Sequence, residues 1–487
     1  MKRLLSKYDI QNNRGVISVY LCLMFAIMIS VLLVMIEATR LSAIKQTAEC
    51  VTDMGTDSLL SEYHKELLSR YGLLFIDTAY EYDEGSLDNL TDHLISYMEF
   101  NLSPGKDLVM AGSYRDFTGL SISSVDMVNV SRATDGEGAV FRHMAISYML
   151  DKYGLSLIDN AEDLASITDT YNLGEGDIIS ENKNAQAEID DIEFPEIEGV
   201  NWDDVDTSNP SENAKKASSK GVLSIVYNKT LSGKYVNNDT LASHRDNVAG
   251  AGLISDWDSY DGIQYDLLFN EYILDKFSNL LDIKYDDALD YQVEYILFGS
   301  DTDVANLRKT ADRLVMIRGA SNAIYYATDS GLQAEVRAMA IGLAAVTLAP
   351  YLETVYELGL SAALIYAESL YDVAVLLDGG KIPLIKGKGD WNLTLSTALE
   401  KLAGTFTGSS SSNKGQDYKD YLRILLYLTP NKDKINRSMN MIEANIRLIT
   451  GKDNFRLDNC IAGGMVQIIM ESSYGYELLI KRSFSYY

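Results

Sequence analysis

Residues 14–40, RGVISVYLCLMFAIMISVLLVMIEATR, decide how the rest of the chain must be arranged. Val16 to Ile36 is a run of 21 residues with no charge and no proline. As a helix rising 1.5 Å per residue it is about 31 Å long, close to the thickness of one hydrocarbon core. Lys2, Arg3, Lys7 and Arg14 precede it against a single Asp9. That basic excess predicts a cytoplasmic N-terminus and an exterior location for everything after the span. The run is longer than the apolar stretch of a cleaved signal peptide, and Ile36-Glu37-Ala38-Thr39-Arg40 offers no small-x-small cleavage signal. The reading is an uncleaved anchor. A buried core helix of this length would keep a polar stripe, and none is present.

The remaining sequence suits a folded exterior domain. Hydrophobic residues make up 47% of 487, enough for a packed core. The net charge is −28. Residues 1–37 carry four basic and two acidic residues; without them the chain holds 38 basic and 68 acidic, a net charge of −30. Such a surface repels nucleic acid, so none is expected as a partner. Three cysteines make no disulfide framework. Cys22 lies in the span, so Cys50 and Cys460 are the one pair that could bridge.

Past the span, Leu41, Ile44, Ala48, Val51 and Met54 recur at three- and four-residue steps, and Leu59, Tyr63 and Leu67 resume the stripe after Gly55. This predicts a stalk helix over 37–71, apolar on one side and ended by Gly72. That stripe must pack on the outer domain, on a second copy through self-association, or on both. Strands are expected at 73–76, at 117–131 with a bulge near Ser123-Ser124, and at 455–470 and 476–487. Helices are expected at 87–100, 139–153, 267–281, 288–298, 304–328, 418–428 and 432–449, with Ser300 and Asp303 forming a capping pair. The segment 188–206 carries nine acidic residues and no basic one, and 188–219 reads as an acidic loop. Residues 333–349 and 352–377 are apolar, but Arg337, Pro350, Glu353, Glu357, Glu368 and Asp372 interrupt them, so a buried helical hairpin is expected rather than further spans.

The fold class is therefore α+β: a transmembrane helix continuing into a stalk helix, a small split antiparallel sheet from both chain ends, and a large, mostly helical insertion. The domain reading is 1–15 cytoplasmic, 16–36 anchor, 37–71 stalk, 72–138 with 455–487 sheet domain, and 139–454 helical insertion.

No residue set predicts catalysis, a cofactor or a metal. His64, His93, His143 and His244 are scattered and read as surface or half-buried. Gly379-Gly380-Lys381 and Gly387-Lys388-Gly389 lack phosphate-loop spacing, and Gly379-Gly380 reads as a helix end. The run from Asp256 to Gly262 (DWDSYDG) is like a calcium loop, but Asp261 and Leu267 stand where an EF-hand needs Gly and Glu. Glu368 and Asp372 share one helix face, with Arg318 or Lys381 as conceivable partners. Glu37 and Arg40, at the outer end of the span, are candidates for docking a neighbouring helix; the plainer reading is that Glu37 is interfacial.

Several stretches together carry a resemblance. Arg14-Gly15-Val16-Ile17-Ser18-Val19-Tyr20, the span, and Glu37-Ala38-Thr39-Arg40 resemble the start of tight-adherence (Tad/Flp) pseudopilins of the TadE/TadG type. Residues 61–77 (SEYHKELLSRYGLLFID), 97–104 (YMEFNLSP), 366–391 (YAESLYDVAVLLDGGKIPLIKGKGDW) and 439–447 (MNMIEANIR) resemble a Gram-positive bacterial membrane-protein family of unknown function associated with Tad pilus loci. The resemblance implies a non-enzymatic, cell-surface pilin-like or assembly component of a type IVc pilus or related secretion system. Its partners would be the lipid bilayer and pilus or secretion-system membrane proteins. It also implies Gly15 as a peptidase site, although Tyr20 stands where processed pilins of this class have Glu. The alternatives are an anchored ligand-binding or sensing module and, last, a surface hydrolase.

Overall fold

The apolar span and the stripe after it form one continuous helix, α1, Asn12–Leu60. In this computed structural model the described residues are 12–80, 82, 84–102, 118–174, 221–255, 257–346, 350–402, 404–406 and 414–486. The acidic stretch 188–219 lies outside them. The chain divides into two compact units: Met1–His64, Phe75–Ser131 and Asn459–Tyr487 in the first, Lys65–Leu74 and Arg132–Asp458 in the second.

In the first unit α1 has two characters. Every side chain from Val16 to Ile36 is exposed. From Ile44 onward a stripe is buried: Ile44, Ala48, Val51, Thr52, Thr56 and Leu59. Leu41 and Met54, expected in that stripe, are exposed, and the two threonines take their place. Each satisfies its hydroxyl on the helix's own backbone, Thr52 on Ala48 O at 2.8 Å and Thr56 on Thr52 O at 3.1 Å, so it packs like a small apolar residue. Gly55 does not interrupt the helix. A Cβ there would lie 2.7 Å from Met98 Cγ, so glycine lets a second helix approach closely. That helix is α2, Leu87–Leu102, which buries Leu90, Leu94, Met98 and Leu102 at four-residue steps.

Four strands complete the unit: β1 Ile76–Asp77, β2 Leu120–Arg132, β3 Cys460–Ser472 and β4 Glu477–Ser485. β3 is central. β1 and β4 pair antiparallel with it in succession, through Ile461 and then Gly463–Glu471, while β2 takes its other edge. The strand crowding is visible at two glycines: a Cβ on Gly463 would lie 2.4 Å from Phe484 O, and one on Gly464 3.2 Å from Val130 Cα. β2 runs unbroken through Ser123-Ser124; its positive-φ residue is Asn129. The core joins α1, α2 and the sheet through Ile44, Val51, Leu94, Val466, Ile468 and Phe484.

The expected stalk thus differs in two ways. The helix ends at Leu60 instead of residue 71, and a separate π-helical turn, Leu67–Tyr71, belongs to the second unit. Its end at Gly72 is as expected. Gly72 has φ +69°, donates to Leu68 O, and leaves no room for a Cβ beside the Tyr148 ring.

The described part of the second unit is predominantly helical: α3 Asp135–Tyr153, α4 Asp159–Thr170, α5 Val222–Val226, α6 Ile263–Lys276, α7 Gln292–Phe298, α8 Asp303–Thr328, α9 Ser330–Val346, α10 Glu353–Leu377, α11 Leu395–Leu402, α12 Tyr418–Leu428 and α13 Asn431–Thr450. α10 is its axis, buried on all sides from Ala363 to Leu377 except at Tyr371. Its most apolar window is 89% buried, so this helix is a core element of the unit. α9 buries Val336, Ala340 and Ala344. The N-cap of α8 is Thr302, not Ser300; Asp303 instead accepts the backbone N–H groups of Asp290 and Tyr291.

Candidate functional site

At the C-terminal end of the apolar span α1 meets polar partners. Arg40 Nη1 lies 2.7 Å from Glu37 Oε2, and the Arg40 guanidinium sits 4.5 Å from the Tyr474 ring centroid. Tyr476 OH donates to the other Glu37 oxygen. Tyr474 and Tyr476 belong to the turn between β3 and β4. Glu37 and Arg40 therefore tie α1 to its own sheet hairpin. Further along, Arg482 clasps Asp53 at 2.6 and 3.2 Å, and Tyr486 OH donates to Leu60 O. Sequence reading found Glu37 and Arg40 but missed the tyrosines, because their partners stand more than 400 positions away. Gly15 lies in the first turns of α1.

The four sequence stretches that resemble a membrane-protein family lead elsewhere, to buried and half-buried polar clusters. In the first unit, Glu62 accepts from Tyr80 OH at 2.7 Å and Tyr97 OH at 2.6 Å and meets His93 Nδ1 at 2.9 Å. The hydroxyls give up protons less readily beside this carboxylate; for Tyr80 burial is the larger cause, for Tyr97 the hydrogen bond itself. In the second unit, Glu443 accepts both Arg245 guanidinium nitrogens at 2.7 and 2.6 Å and the Leu457 N–H at 2.8 Å. Arg245 also reaches Asp458 at 2.6 Å. Asn445 donates to Tyr71 OH and accepts from Ala288 N.

The largest cluster contains Glu368 and Asp372. Both are sealed from solvent. Arg318 reaches Asp372 Oδ2 through Nε at 3.1 Å and Nη2 at 3.0 Å; Asn322 donates to the same oxygen. Lys386 bridges the pair, 2.8 Å from Asp372 Oδ1 and in contact with Glu368 Oε1. Glu368 also accepts from Asn392 N and Leu393 N, each at 2.9 Å. Of the two partners conceived from sequence, Arg318 is present; the second cation is Lys386 and not Lys381. Two cations face two carboxylates, each carboxylate is multiply bonded, and neither opens onto a surface where a substrate could exchange a proton. Gly379-Gly380 is the turn that ends α10, with Gly379 at φ +91°.

A cavity of about 350 Å³ lies in the second unit, lined by Arg142, His143, Asp258, Tyr260 and Lys432 among others. His143 is 5% exposed, not half-buried as expected. Its ring is stacked between Trp257, centroids 4.3 Å apart, and Tyr260, 4.6 Å apart. Burial lowers the pKa of its imidazole. Gly136 and Glu137, the first two of three successive left-handed residues (Gly136, Glu137 and Gly138), form one wall. The calcium-loop-like segment supplies another wall through Asp258, Ser259 and Asp261; Asp256 lies outside the described residues. Among the described residues no group of three or more His, Cys, Asp or Glu side chains is placed to hold a metal ion.

The Cys50–Cys460 bridge is not formed: Cys50 is exposed on α1, while Cys460 is buried at the start of β3. A disulfide needs both sulfurs about 2 Å apart, which these two placements do not provide.

Residues 200–472 match the model of a family of unknown function, DUF5702. The chain belongs to that family. The DUF5702 match takes in the Arg318–Asp372–Lys386–Glu368 and Arg245–Glu443–Asp458 clusters and ends at the last residue of β3. No curated protein and no solved structure matches the chain. In this chain the matched region holds buried polar clusters that tie helices to loops.

Proposed function

We propose that this protein is a membrane-anchored, extracellular, non-enzymatic component of a Tad/Flp (type IVc) pilus or related secretion system, pilin-like or assembly-related, in a Gram-positive bacterium. One observation carries the reading: α1 is apolar and fully exposed from Val16 to Ile36, then packs under a four-stranded sheet from Ile44. A helix with those two halves is suited to holding a folded head at a bilayer or among copies of the same helix. The anchor itself is compatible with the length and composition of α1. The basic residues before the span favour an N-terminus inside and the bulk of the chain outside. The Tad association rests on the resemblance of residues 14–40 and of the four later stretches. The non-enzymatic role is supported by the fate of Glu368, Asp372, Glu443 and Glu62, all engaged in internal bonds.

The experiment is mass spectrometry of the N-terminus of the protein from its native membrane, beside the sheared surface-fibre fraction. A new N-terminus at Val16 with recovery in fibres makes it a processed minor pilin despite Tyr20. An intact N-terminus with recovery only in membranes makes it an anchored assembly factor. Recovery in neither fraction sinks the proposal. A second reading, an anchored binding module, is favoured by the His143 cavity; ligand-induced quenching of Trp257 fluorescence in the absence of pilus proteins would support it.

A further inference from the structure

We infer that the turn between β3 and β4 is a second membrane contact, with Tyr474 and Arg40 seated in the headgroup layer of the outer leaflet. The inference rests on the anchored reading of α1. If Ile36 is the last residue in the hydrocarbon, Glu37 and Arg40 follow within four residues, a rise of about 6 Å. The polar layer on each side of the hydrocarbon is about 5–8 Å thick. The Arg40 guanidinium lies 4.5 Å from the Tyr474 ring, and Tyr476 OH donates to Glu37, so the hairpin is tied to α1 at that depth. Tyr474 is 47% exposed, an amphipathic ring with its apolar body available to the interface.

The charges at this place fit a zwitterionic headgroup layer. Glu37 and Arg40 neutralise each other, whereas the chain beyond the span is strongly acidic. Glu471 and Glu477 stand opposite each other just inside the turn and disfavour anionic lipid there. The contact is therefore an interfacial tyrosine and a paired arginine, and its strength is insensitive to salt. The first unit rests against the bilayer; no free length of helix lifts it away.

The test uses the full chain in phosphatidylcholine vesicles with one nitroxide label at a time. Native Cys22 reports the span, native Cys50 reports water, and Tyr474→Cys, with Cys22 and Cys50 changed to Ser and Cys460 to Ala, reports the hairpin. The expected result is a collision rate with a water-soluble nickel chelate several-fold lower at 474 than at Cys50, and an oxygen collision rate below that at Cys22. Collision with nickel at 474 equal to that at Cys50 overturns the inference while leaving the anchor intact. Water-like behaviour at Cys22 as well overturns the anchor. Spin–spin broadening at 474 that disappears on dilution with unlabelled chain assigns the face to a second copy and also overturns it. Tyr474→Trp, which keeps an aromatic ring, gives an independent readout: its added fluorescence is quenched by lipids brominated near the carbonyl end of the acyl chain.

Discussion

Lys386 Nζ lies 2.8 Å from Asp372 Oδ1, while Arg318 holds the other oxygen of the same carboxylate, and all three side chains are fully buried. Asp372 is the group that allows two cations into the interior of the second unit. Asp372→Asn leaves Glu368 alone to balance both. The expected cost is about 3–5 kcal/mol, the range for breaking a buried ion pair from one side. Urea unfolding checks it, with Lys381→Ala, outside the cluster, staying near wild type. Equal stability of the two variants would show that the cluster is not held by its charges.

Glu294 gives the second unit a pH dependence. It is fully buried, accepts from Tyr418 OH at 2.6 Å and Leu280 N at 3.0 Å on one oxygen, and leaves the other unpartnered. Burial pushes its carboxyl up to about 7. The folded pKa is above the unfolded one, so its contribution is fully present below about pH 4.5 and is lost as pH rises through 7. The loss is about 3 kcal/mol as an order of magnitude. Thermal melts between pH 5 and 8 should fall with pH, and Glu294→Gln should flatten that slope.

Lys434 acts in a different window. Its ammonium donates to two neutral acceptors, Asn270 Oδ1 at 2.7 Å and Leu426 O at 3.0 Å, and burial pulls it down to about 8. A depressed lysine favours the folded state at high pH, and that contribution is lost as pH falls from about 10.5 through 8. Lys434→Met should therefore stabilise the unit at pH 7, and the gain should shrink by pH 10. A variant less stable than wild type at pH 7 would mean that the two hydrogen bonds outweigh the burial of the charge.

Gly55 sets the distance between α1 and α2. Gly55→Val places atoms within 3 Å of Met98 and Leu94 and should destabilise the first unit by about 1–3 kcal/mol. Amide exchange of α2 reports it locally. Unchanged protection at Leu90 and Leu94 would show that the helices separate without penalty.

The thiols offer a direct chemical check. Without denaturant, maleimide should modify Cys50 rapidly and leave Cys460 untouched until the sheet unfolds. Mobility on a non-reducing gel should not change on reduction; a shift would restore the bridge suggested by the sequence.

What could be read from sequence was what depends on local pattern. The exposed half of α1, the α+β class, the helices around residues 139–153, 304–328 and 418–428, and the cap at Gly72 all carry periodicity or a special dihedral in their own residues. The helix end at Leu60 was not legible, because the stripe of apolar residues continues past it to Leu67 while the chain turns so that Tyr63 can bridge to Ile76. The partners of Asp372 and Glu37 were legible only in part. A carboxylate advertises that it needs a cation, but Lys381 and Lys386 look alike until the turn after Gly379 shows which one faces inward. The His143 cavity had no signal, since Trp257 and Tyr260 stand more than 110 positions away.

The order of the strands has a consequence for biosynthesis. β1 and β2 leave the ribosome early, but the strand that both of them pair with, β3, begins at Cys460, after the whole helical unit has been made. Until then Ile44, Ala48 and Val51 have no sheet to cover them. An exported chain inserted by its first helix would thus hold an unfinished domain at the membrane surface throughout translocation, and would close that domain last. In the proposed exterior topology, such late closure would leave the newly exported chain dependent on being shielded from its neighbours until β3 has crossed.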